Sequence, residues 1–270
     1  AALMQTELDI FAAARPASAR EFMRASAHMP DGVPMLWMAK WPGPWPVYVA
    51  DAAGAHFTDL DGIDHVDLCL GDTGAMCGHA PAASVAALQA QLAAGSTFML
   101  PTTAAAKASA LLAERFGLPQ WQFALSATDA NRSLIRYARQ VTGRPKILVH
   151  DHSYHGTVDE TFATLDDHGE VVARRGNIGA PVPLSQTTAV VPFNDVPALE
   201  AALATGEIAA VLIEPALTNI GIVLPDPGYL AAVRDACTRH GAVLIHDETH
   251  TLCAGPGGYT AEHGLAPDAM

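Results

Sequence analysis

The chain has 270 residues, half of them hydrophobic, and a formal net charge of −13. That is enough apolar material for one large domain or one and a fraction, which excludes a small disulfide-stapled scaffold. The acidic balance argues against a nucleic-acid groove or an anionic membrane surface as a partner, because both need clustered Lys and Arg; a small soluble ligand is expected.

The N-terminus, AALMQTELDIF, has no basic segment ahead of an apolar stretch. No apolar run reaches the roughly 20 residues of a membrane span, so a cytoplasmic protein is expected. Residues 29–46, MPDGVPMLWMAKWPGPWP, are too rich in proline for regular helix or central strand and predict an irregular arm. Tyr48-Val49 and His56-Phe57-Thr58 flank a turn at Ala52-Ala53-Gly54, and Asp61-Gly62 precedes 66–70, which predicts a small antiparallel meander. From Pro81 the pattern alternates. Helices are predicted near 82–94, 103–116, 129–141, 196–204 and 227–240, and strands near 121–125, 146–150, 188–192, 209–213 and 242–245. The last two strands, AAVLI and AVLI, are continuous apolar runs, the sign of strands covered on both faces of a mainly parallel sheet. The fold class is therefore α/β, with 1–80 as an N-terminal arm and small-domain segment and 81–270 as the large domain. The helix at 227–240 has clear ends: Pro227 at its start, Arg239 and His240 in its last turn, Gly241 beyond them. Cys69, Cys77, Cys237 and Cys253 form no C-x-x-C pair and are read as buried thiols of a reducing compartment.

Open α/β sheets bind ligands outside the carboxyl ends of their strands, so the polar groups just after each strand are the candidates. Ser126-Ala127-Thr128-Asp129 lead straight into a helix and gather N–H groups and hydroxyls at its positive end, suited to a phosphate; an ordinary N-cap has the same look. Tyr154, in the run Asp151-His152-Ser153-Tyr154-His155-Gly156, offers a flat π-face to a ligand or packs as an ordinary ring. Glu214-Pro215 follow the strand at 209–213. Asp247 ends the last strand as a buried carboxylate that needs a partner, either a protonated ring nitrogen or a neighbouring loop.

Two other chemistries share parts of this pattern. The ending LIHDE resembles the strand and Asp-Glu pair that bind magnesium in P-loop ATPases, but the chain has neither G-x-x-x-x-G-K-[ST] nor G-x-G-x-x-G. His150, His152 and His155 approach the H-x-H-x-D-H zinc motif of metallo-β-lactamase-like hydrolases, with Tyr154 in place of its Asp. A zinc-dependent hydrolase is thus an alternative, while no metal is the expectation.

Taken in order, the segments resemble the class III aminotransferases, including the glutamate-1-semialdehyde aminomutase branch, which share the fold-type-I pyridoxal 5′-phosphate (PLP) fold. The most specific stretch lies within 210–268, VLIEPALTNIGIVLPDPGYLAAVRDACTRHGAVLIHDETH and then GPGGYTAEHGLAPD; LDGIDHVDL, GHAP, SATDA and YARQVTGRPKIL agree as well. The resemblance implies a PLP-binding large domain in a PLP-dependent aminotransferase that moves an amino group between an amine or amino acid and an oxo acid or aldehyde, working as a homodimer. An aminomutase of the same fold is the nearest variant, and a catalytically silent PLP-fold binding protein the non-enzyme alternative. By position, Ser126, Ala127 and Thr128 would hold the phosphate and Tyr154 would stack on the pyridine ring, with His155 in the same cofactor-binding set. Asp247 would pair with the ring nitrogen as the catalytic carboxylate, Thr249 would pack on the opposite face, Glu214 and Asn219 would border the ring, and His250 would lie near the phenolic oxygen.

The sequence departs from the family pattern at several points. Ala127 replaces Gly, Asp129 replaces Glu, and Thr249 and His250 replace the usual Val and Gln. Asp31-Gly32-Val33-Pro34-Met35-Leu36-Trp37 lacks the Arg that the aminomutase branch carries for a substrate carboxylate, which makes glutamate semialdehyde a poor expectation. Trp37, Lys40, Trp41 and Trp45 lie in the segment that would border the pocket, where they would suit an apolar or aromatic amine or amino acid, or pack as ordinary core. The family's Schiff-base lysine falls a few residues beyond the position of Pro267-Asp268, and none of Lys40, Lys107 and Lys146 stands in its Gly-Lys context. A longer natural chain is therefore expected.

Overall fold

In the computed structural model, which describes residues 2–270, the chain divides into two units, Ala1–Met99 and Leu100–Met270. The first unit opens with α1 (Ala2–Ala14) and α2 (Pro16–Ser26), the latter with proline in its first turn, where a missing N–H costs nothing. Asp61 caps α2 from a distance: one carboxylate oxygen accepts from the Ala17 N–H at 2.6 Å and the other from the Ser18 N–H at 2.9 Å. Residues 29–46 form only short 3-10 turns between bends, as their proline content requires. The meander is antiparallel, with β1 (Val49–Ala53), β2 (His56–Asp59) and β3 (Asp64–Val66) in sequential order. Its third strand starts earlier than the expected 66–70. Asp59 Oδ1 accepts from the N–H groups of Asp61 and Ile63, which tightens the turn so that pairing resumes at Asp64. Residues 67–70 instead wrap around Asp67, which accepts from the Cys69 and Leu70 N–H groups. Helix α3 (Ala82–Ala93) also belongs to this unit, so the division falls beyond the 80/81 boundary expected from the sequence.

The second unit holds α4 (Thr103–Phe116), α5 (Ala127–Thr142), β4 (Lys146–His150), the hairpin β5 (Ala163–Leu165) and β6 (Val171–Ala173), β7 (Thr188–Val191), α6 (Val196–Leu203), β8 (Ile208–Ile213), α7 (Tyr229–His240), β9 (Val243–His246) and α8 (Gly258–Glu262). β7, β4, β8 and β9 pair in that order, all parallel. Every residue of β8 is buried, as its unbroken apolar run predicts. Val211 and Ile213 pack with Leu230, Val233 and Leu199 of the helices α7 and α6, while Ala210 and Leu212 pack with Ile135 and Ala138 of α5. Gly241 ends α7 in the left-handed conformation at φ 63°, which a side chain would resist.

Three expectations are corrected. Helix α7 starts at Tyr229 rather than at Pro227, because Gly228 takes the left-handed conformation at φ 85° and stands as the N-cap, leaving Pro227 in the preceding turn. Residues 121–125 form no strand: they join no ladder, and Phe123 and Leu125 are 57% and 100% exposed. An apolar run becomes a strand only when a neighbour satisfies its N–H and C=O groups. Of the four thiols only Cys237 is buried, because it alone lies on a core-facing helix position; Cys69, Cys77 and Cys253 sit on exposed loops. No helix among the described residues is long and apolar enough to cross a membrane.

Candidate functional site

The carboxyl ends of β4, β8 and β9 deliver Tyr154 and His155, Glu214, and Asp247 respectively. The Asp247 N–H donates to the Ile213 carbonyl at 2.8 Å, one step past the β8–β9 ladder, so the sheet itself places this carboxylate. Its side chain is buried and accepts four hydrogen bonds. Oδ2 takes Asn131 Nδ2 and His155 Nδ1, both at 2.9 Å; Oδ1 takes the Thr249 N–H at 3.1 Å and the Thr249 hydroxyl at 2.5 Å. Burial pushes the Asp247 pKa up, but the hydrogen bond and charge of His155, with the bonds from Thr249 and Asn131, outweigh it and hold the carboxyl well below its usual range. Asp247 is therefore a fixed anion, and His155 Nδ1 must carry the proton it shares.

Helix α5 points its start at the same end of the sheet. Ser126 is its N-cap, with Oγ accepting from the Asp129 N–H at 3.2 Å, while the first N–H groups of the helix have no intrahelical acceptor. Thr128 ties this end to the loop after β4, because its hydroxyl accepts from the Thr157 N–H at 3.0 Å. Gly156 is needed there for two reasons: its φ is +76°, and a Cβ would lie 2.2 Å from Thr128 Oγ1. Tyr154 is 38% exposed, with its N–H held by Glu214 Oε1 at 2.9 Å. Thr218 donates to Glu214 Oε2 at 2.8 Å, and so accepts from His250 Nδ1 at 2.7 Å.

The structure thus brings Asp247, His155 and Thr249 into one network, and Tyr154, Glu214 and His250 into a second. Ser126, Ala127 and Thr128 form the helix end. Asn219 stands apart, exposed at the tip of the turn closed by the Leu217–Val223 bridge. His155 is 1% exposed and acts through Asp247 rather than at a surface.

The zinc alternative does not survive the geometry. His150 Nε2 meets the Tyr229 hydroxyl at 2.6 Å, His152 lies 3.4 Å from Asp151, and His155 faces Asp247; among the described residues no three His, Cys, Asp or Glu side chains converge on a metal position. The Asp-Glu pair is divided as well. Glu248 turns away to accept the Tyr259 and Thr260 N–H groups, both at 2.7 Å.

Residues 37–270 match the class-III aminotransferase family. The chain belongs to that family. It is 35% identical over 258 residues to glutamate-1-semialdehyde 2,1-aminomutase of Anaeromyxobacter dehalogenans, covering 94% of this chain and 60% of that protein. The Sorangium cellulosum aminomutase is 36% identical, with 94% and 59% covered. Among solved structures, a glutamate-1-semialdehyde-aminomutase from Pseudomonas aeruginosa PAO1 superposes with a TM-score of 0.96 at 47% identity, covering 99% of this chain and 59% of that one. A lysine-to-alanine variant of that enzyme was solved in complex with PMP. An omega-transaminase from Sphaerobacter thermophilus gives a TM-score of 0.88 at 33% identity, with 95% and 61% covered. The chain has the fold-type-I architecture of these enzymes and spans about 60% of the length of the curated relatives it matches.

Within this class-III chain, two residues that the sequence reading passed over complete the networks. Asn131 was legible in principle: it shares the buried stripe of α5 with Ile135 and Ala138, at helical spacing, and a polar side chain on an apolar stripe needs a partner. Thr218 carries no local signal, since its role depends on Glu214 and His250 meeting in space.

Proposed function

We propose that this chain forms the cofactor-binding part of a PLP-dependent aminotransferase, which moves an amino group between an amine or amino acid and an oxo acid or aldehyde. The observation that carries this reading is the Asp247 carboxylate, kept ionised at the end of β9 by donors from three elements. Such an anion suits a protonated pyridine nitrogen. The donor set fits the rest of the cofactor: the start of α5, with Ser126, Ala127 and Thr128, suits the phosphate, and Gly156 keeps the adjoining loop close. Tyr154 would offer its ring face, while Glu214, Asn219, Thr249 and His250 would border the pyridine.

When bound, the cofactor supplies an electron-accepting ring that stabilises the negative charge left as the substrate α-proton departs. Asp247 holds a proton at the ring nitrogen. His155 and Asn131 position Asp247 and keep it charged. The first turn of α5 anchors the phosphate, so orientation comes from backbone N–H groups rather than mobile side chains.

The same reading takes 81–270 as the cofactor-binding domain, with a cytoplasmic homodimer using a small-molecule amino donor and a carbonyl acceptor. The named activity of the aminomutase relatives favours a second reading, an intramolecular transfer. Titrating the protein with pyridoxamine phosphate, followed by ultraviolet absorbance, tests the cofactor assignment: saturable one-to-one binding is expected, and a folded protein that takes up none would refute it. Consumption of one substrate or two then separates aminomutase from aminotransferase.

A further inference from the structure

The Asp247 carboxylate offers about four lone-pair positions, and all are taken. On Oδ2 the donors are Asn131 and His155, at 5% and 1% exposure, and on Oδ1 one donor is the Thr249 backbone N–H. None of these three can move without unpicking α5, the loop after β4 or the backbone itself. The fourth donor differs. The Thr249 hydroxyl belongs to an exposed residue, hangs on a single rotatable bond, and makes a 2.5 Å contact with Oδ1.

We propose that Thr249 is a positioning residue whose hydroxyl competes with the ring nitrogen for Oδ1 of Asp247. The inference rests on the PLP reading of the site and adds a competitor to it. Valine would leave Oδ1 one donor short; threonine keeps the carboxylate paired and oriented, and the ring nitrogen must turn the hydroxyl aside. Thr249 therefore weakens cofactor binding while preserving the anion that receives it. Valine matches threonine in shape, so Thr249→Val removes the competitor and little else, and Thr249→Ser restores it.

The test measures the dissociation constant of pyridoxamine phosphate for the full chain and for T249V and T249S, each also in an Asp247→Ala background. T249V is expected to bind roughly three- to tenfold tighter, the worth of one hydrogen bond to a charged acceptor less what the rearranged site recovers. T249S should match the parent, and T249V should have no effect once Asp247 is gone. Unchanged or weaker binding by T249V, or an effect that persists without Asp247, overturns the proposal while leaving the PLP reading intact. A folded parent protein that binds no pyridoxamine phosphate overturns both.

Discussion

Asp247 is held by contacts of different sequence range, and this determines how it fails. Thr249 is its neighbour in the chain, but His155 and Asn131 come from 92 and 116 positions away. Replacing it with Asn keeps the shape and removes the charge, so Asp247→Asn is expected to bind pyridoxamine phosphate roughly 10- to 100-fold more weakly, as a titration would read, because bonds to an ionised acceptor are the strong ones. A variant that binds as the parent does would remove Asp247 from the site. The depressed folded-state pKa also has a sign. An unfolded aspartate protonates near pH 3.9, so the stability contributed by Asp247 is fully present above that value and is lost as pH falls toward its lower folded pKa.

At the scale of elements, the site depends on the junction between the start of α5 and the loop after β4. Gly156 lets that loop pass against Thr128 in a left-handed conformation, and either feature alone disfavours a side chain. Gly156→Ala is expected to lower the unfolding free energy by about 1–3 kcal/mol through strain and displacement of Thr128. It should also weaken phosphate-ester binding, because Thr128 lies in the helix turn proposed to hold the phosphate. Thermal melts with and without pyridoxamine phosphate check both; a variant that loses stability but keeps parental affinity would separate the loop from the phosphate seat.

Across the whole molecule, acid sensitivity follows from two buried histidines that end strands β4 and β9. Burial, assisted by the charge of His155, pushes His150 down to about 3, and burial with the charge of Arg234 pushes His246 down to about 4. Both are neutral in the folded state. The unfolded chain gains their protons below about pH 6.5, so stability is full above that value and falls as the pH drops through it, by about 1.4 kcal/mol per unit for each histidine in its window. Urea unfolding between pH 7 and about pH 4.5 should show this slope, and His246→Gln should reduce it; a slope untouched by that change would mean that His246 is protonated in the fold.

The sequence by itself determined the α/β class, the doubly covered strand β8, the C-terminal end of α7 and the placement of Asp247 at a strand terminus. These follow from local chemistry: apolar periodicity, glycine at a left-handed cap, and a carboxylate after an apolar run. Only the tertiary structure decided that 121–125 forms no strand, that the meander resumes at Asp64, that three cysteines are exposed and that His150, His152 and His155 face different partners. Pairing, burial and convergence are properties of neighbours distant in the chain, which local pattern does not encode. The ionised state of Asp247 belongs with them, because two of its donors, His155 and Asn131, reach it only when the sheet and α5 have assembled.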